Sequence, residues 1–274
     1  MLFVEIFLYA SLFIMGSVFG SFFTLAVYRL PRKENITYVR SHCTSCDHKL
    51  NFLDLIPIWS YIFLGGKCRY CKEKIRSRYI LLEIFSGLVF LLVALSLKIS
   101  AFSSITEFIN LAFIYLFMCA VFIIGGIDKE TYEIHDGTIL YGIVVALAYG
   151  IFNTIKKGMT MKYALVGFLV YPIILFLINL VMKKIKKPED LPIGFGDIEY
   201  LALIGLFLGF GNQTLSLILA IIISVIYVLI LKIKDKNRVS KIPFGFLLSI
   251  STSLVIIFAP YCNGFADLIN ITMI

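Results

Sequence analysis

The sequence predicts an all-α polytopic membrane protein of about eight transmembrane helices with one small polar insert. Three observations predict it. Sixty per cent of the 274 residues are hydrophobic and the mean hydropathy is +0.95, against roughly 45–50% apolar residues in an ordinary soluble domain. Apolar runs near the ~20 residues needed to cross hydrocarbon recur along most of the chain. One stretch, 28–78, is polar enough and long enough to fold outside the bilayer.

The first apolar run, 2–27, is too long for a signal-peptide core, carries Glu5, and is followed by Arg29, Arg32 and Lys33. It reads as a retained anchor, the first transmembrane helix, with its N-terminus outside. Residues 28–78 form the insert, and 79–274 the remaining membrane domain. Its spans are expected near 79–97, 108–127, 137–153, 162–182, 198–210, 214–231 and 243–261. The sixth is short and begins beside Gly194 and Gly196. Irregular backbone at membrane depth is tolerated only against protein or a water-filled cavity, so a cavity is expected there.

Charge fixes the orientation. The net charge of +8 could suggest nucleic acid, but the basic residues flank the spans, so the partner is the lipid bilayer and no nucleic acid is expected. With the N-terminus outside, 21 of the 25 Lys and Arg fall in inner loops, as the positive-inside rule requires. Three lysines, Lys156, Lys157 and Lys162, sit in an outer loop against that tendency. The insert is therefore cytoplasmic.

Within the insert, Cys43-x-x-Cys46 and Cys68-x-x-Cys71 are two thiolate pairs separated by 21 residues. Four thiolates at such spacing suit a tetrahedral structural Zn²⁺. A piece of about 50 residues also has too little core to hold itself without a staple. Two disulfides, or reduced thiols without metal, are the alternatives, and a reducing compartment disfavours the first. His42 and His48 are possible substitute ligands but read as polar loop residues. Cys119 and Cys262 lie in or beside apolar runs and are assigned no role. No internal repeat is evident.

Asp128 follows the apolar run 117–127, and Asp197 ends Gly194-Phe195-Gly196-Asp197. Both are expected at the cytoplasmic edge, at one depth. Ionisable groups there are costly and count as functional candidates. Two neighbouring carboxylates hold a single proton between them. The ionised member then activates water while the protonated one polarises a carbonyl, which is the arrangement that peptide hydrolysis needs. Gly194 and Gly196 would leave room for substrate backbone beside Asp197. Taken singly, either aspartate reads as an interfacial acid at a helix end; matching depth and the G-x-G-D context favour the pair. Glu130, Glu133, Asp136, Glu189 and Asp190 read as solvated loop acids.

With these residues the chain resembles the type IV prepilin peptidase family, the G-x-G-D intramembrane aspartyl proteases, over nearly its whole length. Gly16-Ser17-Val18-Phe19-Gly20-Ser21-Phe22 with Tyr28-Arg29-Leu30-Pro31 is similar to the family's N-terminal signature, with Thr24 where Asn is usual. Arg40-Ser41-x-Cys43-x-x-Cys46, Asp54-x-Ile56-Pro57-x-x-Ser60, Cys68-x-x-Cys71, Ile75, Arg78-Tyr79 and Glu83 resemble its cytoplasmic zinc module. Ile127-Asp128 and Gly194-Phe195-Gly196-Asp197 resemble its two catalytic aspartate motifs, and Lys241-Ile242-Pro243-Phe244-Gly245 its last-span block. His135 stands for a usual Pro, Glu199 for a usual Lys and Phe246 for the last block's second Pro.

The resemblance implies a bacterial cytoplasmic-membrane aspartyl peptidase, with 79–274 as its peptidase domain, that removes the leader of prepilin-like proteins at the cytoplasmic face. It also implies N-methylation of the new N-terminal residue from S-adenosylmethionine. No Rossmann-type glycine pattern marks a methyl-donor site. A peptidase without methyltransferase activity, a transporter using the acids as ion ligands, and a scaffold built on the zinc module are the competing readings. Substrate identity and oligomeric state are not expected from the sequence.

Overall fold

The computed structural model describes residues 2–36, 38, 40–157, 161–183, 194–234 and 241–261. Glu189, Asp190 and Cys262 lie outside the described residues. The described chain is helical, in the order α1 (Leu2–Arg29), α2 (Trp59–Phe63), α3 (Arg78–Ser96), α4 (Ile105–Thr131), α5 (Asp136–Lys157), α6 (Lys162–Lys183), α7 (Phe195–Lys234) and α8 (Phe244–Phe258). Six of these helices are long and apolar enough to cross a membrane, and α8 is a shorter apolar helix. Backbone contacts divide the chain into two compact units, Met1–Phe108 and Ile109–Ile274.

In the first unit α1 packs on α3 through small residues. A Cβ on Gly16 would fall 2.8 Å from Phe90 Cβ, and one on Gly87 would fall 2.5 Å from Ser17 Oγ. The Ser86 hydroxyl donates to the Gly16 carbonyl at 2.7 Å. Lipid tails are as apolar as leucine, so helices associate in a bilayer by such close backbone approach and interhelical hydrogen bonds. The Gly16-to-Phe22 signature is thus a packing surface. α3 shares a compact unit with α1 and the insert.

In the second unit the 198–210 and 214–231 runs are two helical arms, together α7, separated by a kink at Gly209. Its φ of 75° and ψ of 167° fall in a region that is essentially glycine-only. The chain doubles back there. Gln213 Nε2 donates to the Leu201 carbonyl at 2.8 Å, whereas twelve residues of straight helix would hold the two about 18 Å apart. The first arm, 195–208, is about 21 Å long by the helical rise, too short to cross the hydrocarbon alone.

That arm is the centre of its unit. Phe207 stacks on Phe117 of α4 with centroids 3.8 Å apart. A Cβ on Gly142 of α5 would fall 2.6 Å from Leu203 Cδ2, and one on Gly205 would fall 2.3 Å from the Gly167 carbonyl oxygen of α6. Tyr200, Leu201, Leu203 and Ile204 are fully buried. Between the second arm and α8, Ser216 bonds the hydroxyls of Ser251 and Thr252 at 3.2 and 2.8 Å, a polar tie in an otherwise apolar contact.

Candidate active site

Asp128 lies in the last turn of α4 and Asp197 in the first turn of α7, so two helices that run in different parts of the chain end at one place. Three residues one helical turn deeper bring them together. The Tyr200 and Ser249 hydroxyls are 2.8 Å apart, and a Cβ on Gly125 would fall 2.6 Å from Ser249 Oγ. Gly125 and Asp128 share a face of α4, and Tyr200 and Asp197 share a face of α7, because residues three apart are neighbours on a helix. α8 supplies Ser249 between them.

Each carboxylate is held by backbone. Asp128 is 5% exposed; its Oδ2 accepts the Phe246 N–H at 2.8 Å, and the Gly245 N–H also donates to it. A Cβ on Gly245 would fall 3.1 Å from that carboxyl, which explains the small residue at the start of α8. The Asp197 carboxylate accepts the N–H of Gly194, as an acid three residues into a helix commonly does. Asp197 is half-buried and Gly194 exposed. Gly196 packs against the chain itself: a Cβ there would fall 2.9 Å from Ile134 Cβ, in the loop that follows Asp128.

The replaced positions flank this geometry without adding a carboxylate to it. Glu199 is exposed. The His135 carbonyl accepts the Thr138 N–H at 2.9 Å and its hydroxyl at 2.6 Å, starting α5. Phe246 takes part most directly, through its N–H to Asp128 and through its ring, which lies 4.5 Å from Lys129 Nζ. Nothing in the sequence marked Tyr200, Ser249 or Ile134; the small residue Gly245 in the last-span block was the one available signal for α8.

In the first unit the Sγ atoms of Cys43, Cys46, Cys68 and Cys71 all lie within 4.8 Å of one another. Cys43 and Cys71 are 3.8 Å apart, the edge of a tetrahedron with metal–sulfur bonds of about 2.3 Å. These cysteines are free thiols, not bridges. The two loops are copies. The Asp47 and Lys72 N–H groups donate to the carbonyls of Cys43 and Cys68, and the Cys43 and Cys68 N–H groups donate to those of His48 and Glu73. Asp47 and Lys72 both have positive φ, and antiparallel bridges His42–Lys49 and Lys67–Lys74 close each loop. This 25-residue repeat was not evident from the sequence.

The donor set fits a thiophilic dication. The Cys43 thiol is lowered to about 7, chiefly by the Ser45 N–H. At Cys71 the Glu73 N–H pulls downward, but burial and the other three thiols push it up to about 12. Four thiols this close do not all ionise alone, and a bound cation would hold them as thiolates. His48 instead packs against Tyr70, with ring centroids 3.6 Å apart and planes inclined by 33°.

Among family models, the bacterial peptidase A24 N-terminal domain matches residues 14–97 and the type IV leader peptidase family matches 115–229. The chain is 28% identical over 221 residues to a prepilin leader peptidase/N-methyltransferase of Klebsiella pneumoniae, covering 78% of this chain and 91% of that one. It is 28% identical over 261 residues to a protein of the same name from Vibrio cholerae, covering 92% and 97%. A type 4 prepilin-like proteins leader peptide-processing enzyme of Escherichia coli is 26% identical, covering 86% and 88%. No solved structure matches. With both family models in sequence order around a four-thiol insert and a carboxylate pair, the chain belongs to the type IV leader peptidase family.

Proposed function

We propose that Asp128 and Asp197 are the catalytic pair of a multi-pass bacterial membrane endopeptidase that cleaves the leader from prepilin-like proteins. The convergence of the two carboxylates on the Gly125–Ser249–Tyr200 cluster carries this reading. One aspartate, ionised, takes a proton from water as it attacks the scissile carbonyl; its protonated partner donates to the carbonyl oxygen. The roles reverse as the amine leaves. Gly194, exposed beside Asp197, offers backbone along which the substrate strand would lie, whereas Gly196 is taken up by its contact with Ile134. The cluster below the pair holds the two helices at a fixed spacing, the orientation on which such catalysis depends.

The insert and both aspartates are assigned to the cytoplasmic side, with the N-terminus outside, on the distribution of Lys and Arg. Cys43, Cys46, Cys68 and Cys71 would hold Zn²⁺, which in this role stabilises the insert and performs no chemistry. The names of the relatives support N-methylation of the newly exposed N-terminus, with S-adenosylmethionine as donor.

Co-expression with a prepilin-like substrate tests the reading. Wild type is expected to remove the leader, while Asp128→Ala and Asp197→Ala each lose at least about a thousandfold, within the range for removing a general acid or base. Full processing by either variant rejects the pair. Mass spectrometry of the product's N-terminus reports methylation separately.

A further inference from the structure

The function proposed above leaves residues 52–63 of the insert unexplained. Asp54 turns inward: its Oδ1 meets Arg69 Nε at 2.6 Å and its Oδ2 accepts the Asn51 N–H at 3.0 Å. Phe52 and Leu53 beside it point out. On α2, Tyr61 packs inward against Gly66. Trp59, Ile62 and Phe63, at positions i, i+3 and i+4, form the opposite face and are 58, 57 and 78% exposed. The Trp59 and Phe63 rings stack with centroids 5.7 Å apart. Contiguous exposed apolar patches are uncommon on water-facing surfaces and mark a contact.

The backbone leading into α2 fixes what that contact is. Ile58 has φ 65° and ψ −55°, and the Trp59 N–H reaches the Pro57 carbonyl at 2.6 Å. This is a γ-turn of the rare, strained hand, held by a β-branched residue. The Ile58 N–H donates to Glu83 Oε2 at 2.8 Å. Glu83 stands five residues into α3, about 8 Å past its first residue by the helical rise. α3 has 19 residues, about the thickness of the hydrocarbon core. The start of α2 is therefore tied alongside a membrane-spanning helix, at the level where headgroups give way to acyl chains. Leu81, Leu82 and Phe85 of α3 are also exposed there, so the apolar surface of the insert continues that of the span. Residues 28–78 carry eleven Lys and Arg against four Asp and Glu, a balance that suits anionic headgroups.

We propose that residues 52–63 are an interfacial foot, in which Trp59, Ile62 and Phe63 insert into the headgroup–acyl boundary of an anionic leaflet. The Pro57–Ile58–Trp59 turn aims that face and Glu83 sets its depth. Tryptophan favours this zone because its ring is apolar and its N–H polar.

Trp59 is the only tryptophan of the chain, so its fluorescence in the intact protein tests the proposal without a variant. The full chain is reconstituted at low protein density in phosphatidylglycerol-containing vesicles, with bromine placed near the headgroup end or the terminal methyl end of the acyl chains. Stronger quenching by the headgroup-end bromines is expected, with acrylamide quenching several-fold weaker than for free tryptophanamide. Acrylamide access equal to the free compound, with no bromolipid quenching, would overturn the proposal. So would protection that appears only as protein density rises, which would assign the face to a second copy, or only when a prepilin-like substrate is added. Phe63→Ser should raise acrylamide access in the same vesicles; an unchanged value counts against insertion of the α2 face.

Discussion

The Phe246 nitrogen lies 2.8 Å from Asp128 Oδ2, with its N–H directed at the carboxylate. The Phe246 N–H belongs to the first turn of α8, where no helical carbonyl competes for it. The family's usual Pro at this position has no such donor. Phe246→Pro is expected to leave α8 folded, since Pro is tolerated in a first turn, and to lower kcat/KM about five- to tenfold, the effect of about 1 kcal/mol. Phe246→Ala keeps the N–H but loses the ring beside Lys129, and should stay within about twofold. Leader-cleavage kinetics on the two variants decide which part of Phe246 matters.

Gly196→Ala should slow cleavage by displacing Asp197, because the new methyl group would meet Ile134 at 2.9 Å. Overpacking of this kind costs about 1–3 kcal/mol. Ile134→Gly removes the obstacle. A double-mutant cycle on kcat is expected to show positive coupling, with the double variant recovering part of the loss; strict additivity would mean that the glycine serves something other than this contact.

Stripping any metal held by the four thiols should open the insert and spare the helices. For a piece of this size binding energy is folding energy, about 10–16 kcal/mol for structural zinc at neutral pH. A strong chelator, or Cys43→Ser, is expected to make residues 40–76 sensitive to protease while far-ultraviolet circular dichroism changes little. Resistance unchanged after metal loss, verified by elemental analysis, would contradict the assignment.

Asp54 gives a pH dependence of defined sign. Burial pushes its carboxyl up, but Arg69 and the Asn51 N–H outweigh burial and hold it below the usual carboxylate range. A group depressed in the folded state stabilises fully above its unfolded value near ~3.9 and loses that contribution as pH falls through the folded value. Amide exchange at Asn51 should thus be faster in Asp54→Asn than in wild type at pH 7. The gap should close as pH drops below about 4, where the protonated acid resembles the amide. A constant gap would show that charge is not what holds this turn.

Hydropathy placed the spans within a few residues, because the bilayer imposes one length on all of them. It also separated the two arms of α7, which Gly209 divides, although a run of apolar residues does not say that the chain folds back there. The carboxylates were legible because acids are rare at membrane depth. Their support was not: Tyr200 and Ser249 are ordinary residues in apolar helices, and only the crossing of α4, α7 and α8 makes them partners. The cysteine cluster was legible from spacing, whereas the likeness of its two loops lies in backbone bonds around different side chains.

The kink at Gly209 makes the first arm of α7 a ruler. Gly209 lies twelve positions after Asp197, and each inserted or deleted residue would turn that acid by about 100° around the helix and shift it by about 1.5 Å. Point changes along the arm can be absorbed by neighbours, but a change in its count would swing the carboxylate away from Asp128. In this stretch length is therefore under tighter constraint than composition.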